Sequence, residues 1–277
     1  MNVVIQSASP VYYCISTFCL SLVLSAIAPA QDVVPLPRAH AHNDYLHDQP
    51  LIDALDQGFC SVEADIYLVD GKLLVAHDRD KLQANRSLQN LYLDPLRQRV
   101  RRNGGHVFPD GPMFTLLIDI KSDATDTYRA LSKLLAQYDD VFSSVDSGKL
   151  TQRAVTAIIS GNRDFDSIRS DSPRYAGIDG RLSDLDSNAP SHELPLISDH
   201  WGRNFRWRGE GDMSDADKSK LKQVIDKAHA DGRRIRFWAI PDQASVWKAL
   251  NEAGVDLINT DKLTELSEFL RTTSSEN

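Results

Sequence analysis

The sequence predicts a single (β/α)8 barrel. Eight strand-like runs alternate with helix-like runs between residues 37 and 270, the order that builds a parallel sheet with helices outside it. Residues 115–120, Thr-Leu-Leu-Ile-Asp-Ile, are almost continuously apolar, as a strand covered on both faces must be. No glycine-rich phosphate loop follows any strand, which counts against the alternative, an open doubly wound sheet.

Taken in order, the first strand is 37–40, and it delivers the polar run His40-Ala-His-Asn-Asp-Tyr45. Helix 51–57 stops at Gly58, a residue suited to a helix C-terminus. Strand 61–68 alternates Val62, Ala64 and Ile66 with Glu63, Asp65 and Tyr67, so a period of two puts both carboxylates on one face. A turn at Asp70-Gly71 and an extension, 73–77, lead to His77-Asp78. Residues 79–112 are polar and irregular apart from a helix-like 95–102, and a segment this long is expected to form a lid or rim. Strand 115–120 and helix 126–138 follow, then strands 154–159, 175–178 and 194–198. Ser214 caps a helix to residue 230, with Asp217 three residues on as an approximate capping box. Strand 234–240, helix 243–252, strand 255–259 and helix 262–270 complete the barrel, and a Ser/Thr-rich tail from residue 272 is expected to fray.

The N-terminus differs from the rest. Residues 1–30 carry no charged side chain, 11–28 form an apolar run, and Ala28-Pro-Ala30 resembles a small-residue cleavage site. This reads as a signal peptide, 1–30, ahead of a barrel domain, 31–271, and a disordered tail, 272–277. The expected location is therefore exported, periplasmic or secreted, with an uncleaved anchor as the alternative. No second stretch is apolar enough to span a bilayer. Cys14 and Cys19 fall in the leader, so the mature chain keeps only Cys60 and no disulfide framework is expected. A net charge of −8 argues against general nucleic-acid binding.

In a barrel, polar residues near the C-terminal ends of strands face the site. His40, His42, Glu63, Asp65, Asp119 and Lys121 all fall there. Three converging carboxylates are electrostatically untenable without a cation, and their hard oxygens suit Mg2+ or Ca2+. Trp238, at the end of the seventh strand, and Trp201, after the sixth, are candidates for an apolar wall against a substrate, and Arg163 for a phosphate contact. His40-x-His42, with His200 and Asp261 loosely placed, also fits a zinc amidohydrolase-like barrel, although Glu63 and Asp65 then have no role. A non-catalytic barrel that binds a phosphorylated ligand is the third reading.

The runs His-Asn-Asp-Tyr (42–45), Gly58-Phe-Cys-Ser-Val-Glu-Ala-Asp65, Val75-Ala-His-Asp78 and Leu116-Leu-Ile-Asp-Ile-Lys121 resemble the superfamily of glycerophosphodiester phosphodiesterases and phosphatidylinositol-specific phospholipases C. The sub-pattern around His40–Tyr45 and Asn90–Leu96 is similar to a branch that includes a fungal mitochondrial-inheritance protein. The resemblance implies a metal-dependent phosphoric diester hydrolase acting on a small-molecule or lipid phosphodiester, with a cyclic phosphate as first product. It also implies metal ligands at Glu63, Asp65 and Asp119, with Asn43 as a neutral fourth. His42 and His77 become base and acid, tasks that suit imidazole, and Lys121 offsets phosphoryl charge. Matching on the strand end would instead select His40. The following Asn-Asp-Tyr selects His42, leaving His40 in support. Many relatives carry Glu where this chain has Asp119.

Overall fold

In the computed structural model, which describes Met1 and residues 33–275, eight strands form the expected barrel. They are β1 (Leu36–Ala41), β2 (Phe59–Val69), β3 (Phe114–Ile120), β4 (Val155–Gly161), β5 (Ala176–Gly180), β6 (Leu196–His200), β7 (Arg234–Trp238) and β8 (Leu257–Thr260). Each pairs in parallel with the next, and β8 returns to β1, so no barrel strand keeps a free edge. Eight helices lie between or after them: α1 (Ile52–Asp56), α2 (Asp94–Arg102), α3 (Ala124–Leu135), α4 (Phe165–Ser170), α5 (Trp201–Asn204), α6 (Asp215–Ala230), α7 (Ala244–Ala253) and α8 (Leu263–Ser275). A strand at Lys72–Val75 pairs antiparallel with β2, and a small hairpin joins Ser144–Asp146 to Lys149–Thr151. No helix among the described residues is long and apolar enough to cross a membrane.

Local chemistry sets the boundaries. Asp123 and Ser214 accept backbone N–H bonds from Asp126 and Asp217, capping α3 and α6. β7 stops at Trp238, short of the expected 240, where Ala239 turns left-handed (φ 53°) and Pro241 has no N–H to donate. Helices α4 and α5, with six and four residues, were not expected, because so few residues show no helical period. Residues 272–275 continue α8 rather than fraying; 276 and 277, like the leader expected at 2–30, lie outside the described residues.

Apolar side chains fill two places. The larger core lies between the barrel and its helices, and includes Val62, Ala64 and Ile66 on the outer face of β2. A separate cluster of Leu117, Ile158, Leu196 and Leu257 plugs the barrel interior. Glu63 pairs in register with Leu117, and Asp65 with Asp119, so this plug forms a floor under the carboxylates. A dry floor strengthens every charge interaction above it.

Residues 79–112 form a rim and not a lid. Leu88, Tyr92, Leu93, Leu96, Val100, Val107 and Phe108 are all buried in the main core, so the segment is packed down from residue 88 to 108, while 79–87 lie at the surface. It also braces the loop after β1: Arg86 donates to the Tyr45 carbonyl at 2.5 Å, and the Tyr92 hydroxyl to Asp44 Oδ2 at 2.9 Å. Asp44 is fully buried, accepts a further bond from Leu51 N at 2.6 Å, and is pushed up to about 7 by that burial. A carboxyl whose folded pKa is raised gives most stability below its unfolded value, near 3.8, and loses it as pH rises through 7. Asp44→Asn removes this titration, so the melting temperature of the variant minus that of the parent should rise between pH 4 and pH 7. A flat difference would mean that Asp44 is already ionised across that range.

Candidate metal centre and active site

Asp65 and Asp119 face each other in register on β2 and β3, and Glu63 lies two residues earlier on the same face of β2. One oxygen from each can be chosen so that all three lie within 4.8 Å of one another. Glu63 and Asp65 are buried, and Asp119 nearly so. Two cations offset this charge. Lys121 Nζ sits 3.1 Å from Asp65 Oδ2 and 3.2 Å from Asp119 Oδ1. Arg236 reaches across the barrel from β7, with Nη2 2.7 Å from Glu63 Oε2 and Nε donating to Asn259 Oδ1 at 2.8 Å.

The three carboxyls respond differently. Burial pushes Glu63 up, but Arg236 and the His40 ring outweigh it and hold the group far below the usual carboxylate range. Asp65 is pushed up to about 7, by burial and then by the Glu63 charge, and burial raises Asp119 as well. Asp65 Oδ1 is buried with no hydrogen-bond partner. An unpartnered buried carboxylate oxygen is rare and costly unless something else approaches it. Hard oxygen donors with an orphaned atom fit a divalent cation of the Mg2+ or Ca2+ kind. No histidine or cysteine joins the group among the described residues, which disfavours the zinc amidohydrolase reading.

Asn43 is not placed as a fourth ligand. It adopts the left-handed conformation (φ 51°), and its side chain is engaged elsewhere: Oδ1 lies 2.6 Å from the Tyr45 hydroxyl, and Nδ2 donates to Asp261 Oδ1 at 3.2 Å. Tyr45, whose hydroxyl is also 2.8 Å from Asp65 Oδ2, shares its one proton between Asn43 and Asp65.

The histidines separate clearly. His40 is fully buried, with Nδ1 2.7 Å from Ser61 Oγ and Nε2 3.5 Å from Glu63 Oε2. Burial, followed by the Arg236 charge, brings it down to about 3, so at neutral pH it is an uncharged support for Glu63. His42 stands at the mouth, with Nδ1 2.8 Å from Asp261 Oδ1. That carboxylate stays below its usual range despite partial burial, because His42 and Asn43 donate to it. Asn43 Nδ2 lies 2.9 Å from the same Nδ1, and in the tautomer that gives its Nδ1 proton to Asp261 the ring keeps its Nε2 lone pair free. His77 follows Ala76, whose N–H donates to the Asp65 carbonyl at 3.2 Å; its ring is half exposed, with Nδ1 3.0 Å from Asp78 Oδ1.

The wall residues are divided. Trp238 stays at the mouth, half-buried between the edge of His200 (4.6 Å) and the Arg203 guanidinium (5.8 Å). Trp201 does not line the site: it is fully buried, stacked on Phe205 at 4.2 Å, and its indole donates to the Trp207 carbonyl. The turn after β6 directs it into the outer core. Arg163 folds over the top of β5, its Nη1 donating to the Asp179 carbonyl. Arg236 was not assigned a role from sequence, and Asp261 was placed only in the zinc amidohydrolase-like alternative, not as the partner of His42. The available signal for Arg236 was the alternation Arg234, Arg236, Trp238 along β7, which turns all three to the barrel interior.

Gly161 makes room for this arrangement. Its φ is +67°, and a Cβ there would lie 2.0 Å from Asp119 Oδ1 and 2.5 Å from the Ile120 carbonyl. Gly161→Ala should displace Asp119 and weaken divalent-cation binding by roughly 10–100-fold, the usual effect of disturbing a ligand's support. Calorimetric titration with Mg2+ and Ca2+ would measure this, and unchanged affinity would show that Asp119 is not a ligand.

Comparison with known proteins adds three findings. Residues 28–178 match the family described as AIM6-like phosphodiesterase domain, and residues 234–264 match the glycerophosphoryl diester phosphodiesterase family. Among curated proteins, altered inheritance of mitochondria protein 6 from Eremothecium gossypii is 31% identical over 88% of this chain and 72% of its own length. Its counterpart from Saccharomyces cerevisiae is 31% identical over 86% and 72%. Among solved structures, two glycerophosphodiester phosphodiesterases from Parabacteroides distasonis share the fold. One has a TM-score of 0.51 at 16% identity, covering 86% of this chain and 98% of that one. The other has a TM-score of 0.52 at 13% identity, covering 88% of each.

Proposed function

Because this chain belongs to the AIM6-like phosphodiesterase family, we propose that it hydrolyses phosphodiesters at the mouth of the barrel, using one divalent cation held by Glu63, Asp65 and Asp119. The observation that carries this reading is the convergence of three carboxylates around a buried, unpartnered Asp65 oxygen. Mg2+ or Ca2+ bound there would polarise a phosphoryl oxygen and make the attacking hydroxyl more acidic.

The chain's own groups supply the proton chemistry. His42, held through Nδ1 by Asp261, presents Nε2 to take the proton of the attacking hydroxyl. His77, which follows the strand paired beside Asp65 and Ile66 of β2, returns a proton to the leaving oxygen. Lys121 faces the charge that builds on the phosphoryl oxygens. Trp238 offers an apolar face to the alcohol portion of the substrate. Where that alcohol carries a hydroxyl next to the phosphate, attack is intramolecular, and an effective molarity of roughly 10⁵ M or more favours it over water. The first product is then a cyclic phosphate. The substrate class is a small-molecule or lipid phosphodiester, a reading supported by the glycerophosphodiester activity named for the fold neighbours. The apolar, uncharged residues 1–30 support export as the location of the reaction.

Two sets of measurements test this proposal. Chelation, Glu63→Gln and Asp65→Asn should each abolish turnover of a phosphodiester, with the circular dichroism spectrum preserved. Full activity after exhaustive chelation would rule out the metal. His42→Ala and His77→Ala should each slow turnover by roughly 10²–10⁴-fold, and His40→Ala by less per folded molecule. Early phosphorus NMR spectra should contain the cyclic species. Efficient cleavage of a diester without an adjacent hydroxyl would exclude that route, and ligand binding without turnover under any metal would leave a binding barrel.

A further inference from the structure

The end of the barrel opposite the mouth holds a separate cavity of about 330 Å3, at the small end of the roughly 300–1,000 Å3 usual for ligand pockets. Met113, Thr156, Tyr175, Pro195 and Arg234 line it, and each lies within one residue of the start of a barrel strand. The carboxylates of the mouth lie toward the other strand ends, with the plug of Leu117, Ile158, Leu196 and Leu257 in between. The hairpin before β4 supplies one side. Val145 exchanges two backbone bonds of 2.8 Å with Arg174, and Leu150 borders the opening.

Arg234 turns inward from the first position of β7, and its Nη2 donates to Thr115 Oγ1 at 2.9 Å. Among the described residues its Nε and Nη1 have no acceptor, and neither is sealed from solvent. The carboxylate that acts on it, Asp256, is already bonded to Ile235 N and His229 Nε2, and burial still takes Arg234 below the ordinary arginine value. Arg174 borders the cavity too, but its Nη groups are taken by the Ala176 and His192 carbonyls and the His192 ring. The carboxylates that act on Arg174, Asp171 and Glu193, are held by Tyr128, Ser132 and Arg169. In a chain of net charge −8, no described Asp or Glu lines this cavity.

The border is of the opposite character. Met113 and Leu150 are two of the few large apolar side chains exposed among the described residues, and both lie here beside Val145. A guanidinium with donors to spare calls for an oxyanion, and apolar groups left in water beside it call for hydrocarbon. We infer that this cavity binds a small amphipathic carboxylate, with its head on Arg234 and its hydrocarbon against Met113, Val145 and Leu150. A phosphate dianion suits the cavity less, because its second charge would meet only Arg174, whose Nη donors are already taken. The site does not depend on the phosphodiesterase reading, since the plug separates it from the mouth.

Octanoate is the probe. Calorimetric titration of the protein should show one site for it. Octanol and octylamine, which lack the negative head, and acetate, which lacks the chain, should each bind roughly tenfold more weakly or worse, the effect of one charge-assisted hydrogen bond or of several buried methylenes. Arg234→Gln should weaken octanoate by a similar factor, and Arg234→Lys should recover part of the loss. Leu150 is half exposed and outside the core, so Leu150→Glu keeps the fold and sets a negative charge at the opening. It should also weaken octanoate roughly tenfold, and it decides the matter should Arg234→Gln not fold. Asp65→Asn, at the mouth, should leave the octanoate affinity unchanged. No binding at millimolar octanoate, octanol bound as tightly as octanoate, or an affinity that falls in Asp65→Asn and not in Leu150→Glu would overturn the site.

Discussion

Three carboxylates held together over a dry floor are the constraint on which the rest of this barrel depends. Each buried charge without a partner costs several kcal/mol, so the group can exist only with cations brought to it. Lys121 bridges the two aspartates from the end of β3, and Arg236 takes one oxygen of Glu63 from the opposite wall. This leaves an asymmetric trio, with Glu63 firmly ionised and the aspartates holding their protons more tightly. Glu63 is thus a fixed negative point, and Asp65 and Asp119 are the groups whose charge answers to what binds beside them.

The interior is organised as two polar networks above one apolar layer. On the β1, β2, β7 and β8 side, His40, Ser61, Glu63, Arg236 and Asn259 are buried and bonded to one another. On the β4 to β6 side, Ser160, Asp179 and Ser198 do the same, and carry Arg163 and Arg181 above them. Buried hydrogen-bonded networks of this kind are rigid, although His40 Nε2 has no hydrogen-bond partner in this one. Rigidity here holds the groups that face the mouth without relying on the loops to place them.

Most of the barrel was legible because its strands obey simple patterns. Val62, Ala64 and Ile66 alternate with Glu63 and Asp65, so both the strand and its charged face follow from period alone. Asp119 between two isoleucines was readable for the same reason. Arg236 was harder to place: its partner Glu63 is 173 residues away, and nothing local marks which wall an inward arginine will reach. Trp201 shows the opposite failure. An aromatic residue just past a strand suits a mouth or a core equally well, and the tight turn into α5 decided for the core. Residues 79–112 looked irregular because their buried leucines and aromatics follow no single period, although those between Leu88 and Phe108 join the main core.

The position of Arg236 along the chain has a consequence for assembly. All three carboxylates and Lys121 lie in β2 and β3 or directly after them, within residues 63–121, whereas the guanidinium that balances Glu63 arrives on the seventh strand. A chain emerging from its N-terminus carries an acidic, half-compensated wall until β7 and β8 dock and β8 meets β1. Closure of the barrel and neutralisation of its charge are therefore one event, and a partly made barrel has little to gain by settling early. The Glu63–Arg236 pair thus couples the first and last thirds of the sequence, because it can form only once the barrel closes.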